Sequence, residues 1–371
     1  MTPSLRMVTA ACIVAVSLSA CGSTSEQPVA KTGDGAASPS VPAVKAFRAT
    51  DTLPQDPDDP AIWINRLDPS RSLIIGTMKV PAPDGGLAVF GLDGTQRQFL
   101  KGADRPNNVD VEYGLDLDAT PTDIAVLTER LGRRLRVYAI AANGSGLRDI
   151  SAGNLPVLAG ASGDEGAPMG IGLYRRPKDG AIFAIVSPKA GPTTWYLWQY
   201  RLADDGTGRV GATFVRRLGA FSGVGEIEAI TVDDELGYVY YADETGGIHK
   251  WHADPDASGA DRELALFGTT GYQQDREGLG IYDLGQGTGY LVTVDQLPGE
   301  SVFHIYRREG EPGRPHDHST VLLSFTGGAD GTDGWLVFDL DFGGPLDAQG
   351  DARWNMGVLG RGGDIQVPQL R

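Results

Sequence analysis

Between Glu226 and Trp251 three short β-rich runs, Ala229 to Val232, Tyr238 to Ala242 and Ile248 to Trp251, are joined by Asp-Asp-Glu-Leu-Gly and Glu-Thr-Gly-Gly. Those joints are turn chemistry, since Gly accepts the positive φ of tight hairpins and Asp bonds its own backbone. The next stretch repeats the plan, from Asp275-Arg-Glu277-Gly-Leu-Gly-Ile-Tyr through Gly289 to Gln296 and on to Val302-Phe-His-Ile-Tyr306. A unit of a few short strands cannot bury its own apolar faces, so tandem copies must stack. Openings of the same kind fall at Asp59, Asp110, Met169, Glu228, Glu277 and Asp333. They are about 50 to 60 residues apart, the length of one four-stranded blade with variable loops. The repeat predicts an all-β fold, a six-bladed β-propeller.

The second strand of each unit ends on a polar residue: Lys79, Arg130, Lys189, Glu244 and Gln296. In a propeller equivalent strand ends gather around one axis, so these side chains converge on one mouth of the channel. The first three units supply cations. The last three supply Glu228, Glu244, Asp275, Glu277, Gln296 and Asp333. A mouth that is half cationic and half carboxylate suits a polyanion held by N–H donors on one side and by bridging metal on the other. Solvated blade edges would show the same periodicity without any chemistry.

With 52 Gly and 23 Pro in 371 residues, punctuation by turns favours many short strands over long helices. The net charge of −16 excludes nucleic acid as the main partner, because a phosphate backbone demands a basic face. Arg6, an apolar run from Met7 to Val16 and then Leu18-Ser-Ala-Cys21 read as an export signal over residues 1–20, too short to span a membrane stably. Leu-Ser-Ala-Cys is similar to the bacterial lipobox, in which the Cys carries lipid, so Cys21 is the expected lipidation site. Residues 21–46, rich in Ser, Ala, Gly and Pro, form a flexible tether, and residues 47–371 form the propeller domain. The chain is expected to be an exported monomer, anchored to the bacterial cell envelope through its N-terminal lipid alone. Cys12 falls in the removed leader, which leaves no partner for a disulfide.

The commonest hydrolase and zinc signatures are absent: no Gly-x-Ser-x-Gly, Cys-x-x-Cys, Gly-x-x-x-x-Gly-Lys or His-Glu-x-x-His occurs. His316-Asp-His318 lies in a Pro- and Gly-rich segment and reads as a plain exposed loop. None of the five His falls on a repeated strand end, so a His-dependent phosphatase mechanism finds no support.

Asp58-Asp-Pro-Ala-Ile-Trp63, Gly86-Leu-Ala-Val-Phe-Gly-Leu-Asp-Gly94, Asn107-Asn-Val-Asp110, Glu277-Gly-Leu and Thr332-Asp-Gly334, in that order, resemble the β-propeller phytases. Members of that family are calcium-dependent and hydrolyse myo-inositol hexakisphosphate. The resemblance implies that Lys79, Arg130 and Lys189 bind phosphate and that Glu228, Glu244, Asp275, Glu277, Gln296 and Asp333 bind Ca²⁺. It implies that Asp59, Asn107, Asn108 and Asp110 help to hold calcium and to close the ring. Lys79, Arg130, Lys189, Glu228 and Glu277 are then the catalytic set, phytate or another phosphorylated small molecule is the substrate, and metal-activated water is the nucleophile. Met169 stands where the family usually has Tyr, and Glu129 brings a negative charge beside Arg130. The alternative is a non-catalytic surface propeller that binds a polyanion or a protein partner; a propeller lactonase gives the three cations no role.

Overall fold

The computed structural model describes residue 43, residues 46–327 and the backbone of three further strands, Gly334–Phe338, Trp354–Leu359 and Ile365–Leu370. The expected leader, Cys21, most of the tether and Asp333 lie outside the described residues.

Five antiparallel sheets follow one another along the chain, and together they make a β-propeller. Sheet I holds Pro57–Trp63, Leu73–Met78, Gly86–Gly91 and Gln96–Lys101. Sheet II opens on Pro106–Leu117, continues through Thr120–Glu129 and Arg134–Ile140, and is edged by Leu147–Asp149 and Leu155–Pro156. Sheet III holds Pro168–Arg175, Ile182–Pro188, Thr194–Asp204 and Val210–Ala220. Sheet IV holds Ile230–Asp233, Tyr238–Asp243, Gly247–His252 and Ala265–Phe267. Sheet V holds Asp275–Gly285, Thr288–Gln296, Val302–Arg307 and Leu323–Thr326. A further sheet joins the N-terminal strand Ala46–Ala49 to Ile365–Leu370, Trp354–Leu359 and Gly334–Phe338. Its strand Gly334–Phe338 lies beside the opening strands of both sheet V and sheet I.

The strand order explains why the sequence reads as continuous apolar runs rather than as alternation. A middle strand of a blade is covered on both faces by neighbouring blades, so Leu73–Met78, Gly86–Gly91 and Ile182–Pro188 are buried at every position. The outermost strand faces solvent, and Gln96–Lys101 has no fully buried residue. Core residues accordingly sit between blades. Trp63, Ile75, Val109 and Leu127 fill the space between sheets I and II. Val126, Val137, Leu173 and Val186 do so between II and III, and Ile185, Tyr196 and Tyr241 between III and IV. Leu279, Leu291 and Tyr306 join V to IV. Each fully buried aliphatic or aromatic side chain contributes roughly 1.5–3 kcal/mol, so the interfaces carry most of the stability.

Polar staples repeat with the blades. The Thr77 hydroxyl accepts from the backbone N–H of Asp59 in its own sheet (3.1 Å) and donates to the carbonyl of Asn107 in the next (2.6 Å). Thr128 accepts from Asn108 N–H and donates to Met169 O, and Ser187 accepts from Gly170 N–H and donates to Ile227 O. Each hydroxyl stands two residues before a strand-end cation: Thr77 before Lys79, Thr128 before Arg130, Ser187 before Lys189. Met169 therefore contributes its backbone oxygen here, whatever side chain it carries. At Gly170 the backbone of sheet III runs so close to sheet IV that an added Cβ would lie 2.1 Å from Glu228 O, which reserves the position for glycine.

Two readings of the sequence are corrected. Glu129 does not face the strand-end cations. Successive strand residues point to opposite faces, so Glu129 turns away from Arg130 and is buried against Arg134, with Nη2 to Oε1 at 2.8 Å, and against Arg136 at 3.6 Å. The His316–His318 segment is not a plain exposed loop. His318 is buried, its Nδ1 lies 2.9 Å from Arg307 O, and its Nε2 lies 3.1 Å from the fully buried amine of Lys250. That loop caps Lys250, which is fully buried.

Candidate active site

Where the opening strands begin, all five sheets line a narrow cavity of about 50 Å³: Asp59 from sheet I, Asn108 and Asp110 from II and Glu277 from V supply its carboxylates and amide, and Ile171 from III and Ile230 and Thr231 from IV complete the wall. Around it stand the ends of the second strands. Lys79 forms an ion pair with Asp58, the residue before Asp59. Arg130 donates to the Asn107 side-chain oxygen, and its Nη2 lies 3.4 Å from Glu228 Oε1. Lys189 forms an ion pair with Glu226. Asn108 Nδ2 donates to Glu228 O at 3.4 Å. Lys79, Arg130, Lys189, Glu228, Glu244 and Glu277 thus share one end of the ring.

On the acidic side Glu244 is knitted to Glu226: its Oε2 accepts from Glu226 N–H at 2.8 Å and its own N–H donates to Glu226 O at 3.3 Å. Arg276 donates to the Glu244 carbonyl at 2.7 Å, which fixes the strand end from the sheet V side. Asp275 and Gln296 are directly opposite each other in the sheet V ladder, so they rise together at the rim.

Charge is crowded there. Burial, aided by the charges of Glu226, Asp275 and Glu228, pushes the Glu244 carboxyl up to about 7. Burial also raises Glu228, against the pull of Lys79 and Arg130. Asp59 is raised well above the usual carboxylate range by burial and by Asp58, Asp110 and Glu228, although it accepts Val109 N–H at 3.0 Å. Arg130 is lowered by burial, which Glu228 opposes. Removing like charges from water without compensation is unfavourable, so these carboxyls hold their protons to higher pH than exposed ones do.

Asp110 sits deeper than the rim. Its two oxygens accept from Val111 N–H and from Leu173 N–H in the next sheet, both at 2.7 Å, and burial raises it to about 7. It staples sheet II to sheet III while lining the channel. Glu226 and Asp58 were not singled out by strand-end periodicity, because each lies one or two residues before the repeated carboxylate. The sequence signal that would have found them is the alternation Asp58-Asp59 and Glu226-x-Glu228 at the openings of two units.

The donor set fits calcium in chemistry. Asp, Glu, Asn and Gln ligate through oxygen, and among the described residues no imidazole or thiol lines the narrow cavity. Among the described residues no three acids are already drawn into a ligand set. Asp58, Glu226 and Glu228 are instead engaged by Lys79, Lys189 and Arg130.

A larger cavity of about 520 Å³ opens where the opening strands end, lined by Trp63, Arg66, Glu112, Tyr113, Arg175 and Asp234 among others. Volume does not decide between the two. Its Glu112 and Asp234 hydrogen-bond each other and accept Tyr113 N–H at 2.6 Å and Arg175 N–H at 2.9 Å, Asp110 lines it as well as the narrow cavity, and none of Lys79, Arg130 and Lys189 reaches it.

A family model described as Phytase matches residues 5–346 of the chain. A curated relative, the 3-phytase of Bacillus subtilis (strain 168), is 33% identical over 258 residues, which is 68% of this chain and 62% of the relative. The match thus spans less than two thirds of that relative's length. Two crystal structures of BBS1N in complex with ARL6DN, soaked with lead or with mercury, align at TM-scores of 0.42 and 0.43 with 9% identity. They cover 82% of this chain and 79% and 78% of their own, a likeness too slight to carry an argument.

Proposed function

The chain belongs to the Phytase family, and from that premise we propose that it is a calcium-dependent phosphomonoesterase that releases inorganic phosphate from myo-inositol hexakisphosphate. The observation that carries the reading is the meeting, at one mouth, of cations from sheets I to III with carboxylates from sheets IV and V, of which Arg130 and Glu228 at 3.4 Å are the central pair. A substrate that bears several phosphates matches both halves of that arrangement at once.

In this reading Lys79, Arg130 and Lys189 orient one phosphoryl group and balance the charge on its oxygens as the ester bond breaks. Arg130 offers a planar fork of donors, whereas the two lysines act as point charges. Glu228, Glu244, Asp275, Glu277, Gln296 and Asp333 would hold calcium, with Asp59 and Asp110 beneath. Calcium, when bound, supplies positive charge that neutralises these acids and makes a water more acidic. Water oxygen adds to phosphorus, the phosphorus–ester oxygen bond breaks, and the inositol oxygen leaves as a hydroxyl. No protein nucleophile is needed.

The same reading takes the sheet that pairs Ala46–Ala49 with the three C-terminal strands as the sixth blade, closed by its N-terminal strand. It takes Cys21 as a lipidated residue and the protein as an exported monomer tethered to the cell envelope. Phosphate release from phytate, measured with calcium and again after chelation, tests the function. Release that persists unchanged in chelator, or no release in either condition, overturns it.

A further inference from the structure

Each of the three cations at the mouth already has an acidic partner of its own. Lys79 is paired with Asp58, Arg130 with Glu228 and Lys189 with Glu226. Glu228 is a proposed calcium ligand, but Asp58 and Glu226 have no assigned role.

These two acids are built into their positions. The Asp58 side chain is almost wholly buried, 1% exposed, so its charge is a large burden unless a cation faces it. Glu226 is tied by its backbone to Glu244, donating its N–H to Glu244 Oε2 and accepting from Glu244 N–H, so the Glu226 carboxylate is presented to Lys189 from a fixed base. Lys189 retains 30% exposure and Lys79 16%, so both amines stand between solvent and their counter-ions. An incoming phosphate must therefore compete with a carboxylate that is already in place. The competition is uneven, because the acid is intramolecular and needs no binding entropy.

We infer that Asp58 and Glu226 are internal counter-ions, positioning residues that keep Lys79 and Lys189 occupied until an external cation draws the carboxylates away and frees the amines for a substrate phosphate. This rests on the mouth being a phosphate site, and it adds which residues restrain that site. The consequence is that cation binding and anion binding are linked through two named ion pairs. By reciprocity a polyanion that takes the lysines must raise the affinity of the acids for a divalent cation by the same factor.

The test needs no turnover. The full chain is stripped with chelator and titrated calorimetrically with myo-inositol hexasulfate, a polyanion that carries no phosphate ester, in low salt. The expected result is that Glu226→Gln binds the probe about tenfold more tightly than the parent protein in chelator. Asp58→Asn, the more buried change, is expected to act in the same direction, and the double variant to exceed either. Lys189→Gln in the Glu226→Gln background is expected to cancel the gain. If Glu226→Gln leaves probe affinity unchanged while Lys189→Gln weakens it, the mouth binds anions but the counter-ion role is wrong. If Lys79→Gln, Arg130→Gln and Lys189→Gln all leave affinity unchanged, the phosphate site itself is misplaced. If the amide variants lower the melting temperature without any gain in affinity, the acids are structural and the inference is overturned.

Discussion

Arg130, past the second strand of sheet II, reaches Glu228, just before the opening strand of sheet IV, with Nη2 to Oε1 at 3.4 Å. Sheet III lies between those two sheets along the chain. A side-chain contact that skips a blade is possible only close to the axis, where blades converge. Lys79 from sheet I also acts on the Glu228 charge. Glu228 is therefore the point at which three separate repeats meet.

Arg130→Gln and Glu228→Gln should each lower the rate of phosphate release by on the order of 10²- to 10³-fold, the usual effect of removing one preorganised group that faces developing charge. Because the two side chains are in contact, the double variant should be little worse than the worse single one. Steady-state phosphate release on the four proteins measures this, with thermal melts to confirm folding. Costs that multiply would show that the residues act independently and that the ion pair is incidental.

Thr128→Val should destabilise by roughly 1–3 kcal/mol, because it strands the buried Asn108 N–H and the Met169 carbonyl at once. Thr128→Ser keeps the hydroxyl and should recover most of the loss. Urea denaturation resolves the difference. Equal stability of the Val and Ser variants would mean that the staple is replaceable by packing.

The repeat was legible because blade strands punctuate the chain with turns. The expected run Tyr238 to Ala242 is observed as Tyr238–Asp243, and Gly289 to Gln296 as Thr288–Gln296. The cation end of the mouth was legible for the same reason, since Lys79, Arg130 and Lys189 occupy equivalent strand ends. What periodicity concealed was which face a neighbour uses. Glu129 and Arg130 are adjacent in sequence yet belong to different networks, because side chains alternate across a strand. The Thr77, Thr128 and Ser187 hydroxyls were written in the sequence as a Ser or Thr two residues before each cation. Their meaning depended on a partner in the next blade some 30 to 41 residues away. His318 was hidden for a related reason: its partner, Lys250, is 68 residues distant.

Glu129→Gln should leave phosphate release within about twofold while destabilising by roughly 1–3 kcal/mol, the loss on breaking a buried ion pair with partly exposed arginines. The two readouts separate the positions. A large fall in activity at unchanged stability would return Glu129 to the mouth.

In chelator, stability should fall as pH rises from about 4.5 to about 7, in part through Glu244. Its carboxyl is raised to about 7 in the folded chain, so the folded state holds a proton that the unfolded chain has released. The contribution is complete below the unfolded value and vanishes as pH passes 7. Asp110, at about 7, and Asp234, at about 6, titrate with the same sign. His318, lowered to about 4 by burial and Lys250, has the opposite sign between about 4 and 6.5. Glu244→Gln should therefore flatten the slope without abolishing it, and saturating calcium should do likewise in the parent protein. Melting temperatures across that window, with and without chelator, check both.

Lys250 gives a separate slope at alkaline pH. Its amine is fully buried, 2.6 Å from Pro315 O and 3.1 Å from His318 Nε2, over the rings of Tyr238 at 4.1 Å and Tyr240 at 5.3 Å. His316 and His252 also bear on this cluster, and Asp233 is the acid that favours its charge. Burial outweighs the pull of Asp233 and lowers Lys250 to about 7. Between about 7 and 10.5 the unfolded chain binds a proton that the folded chain does not, so stability must rise with pH through that window. From pH 7 to pH 9 the gain should be roughly 1–3 kcal/mol. Lys250→Met preserves volume and removes the titrating group. It should show no such rise and should be relatively more stable at pH 7 than at pH 9 when compared with the parent. Denaturant melts of the two proteins at both pH values provide the measurement. Parallel pH dependences would mean that the amine stays charged in the fold, held by the Pro315 carbonyl and the two tyrosine rings.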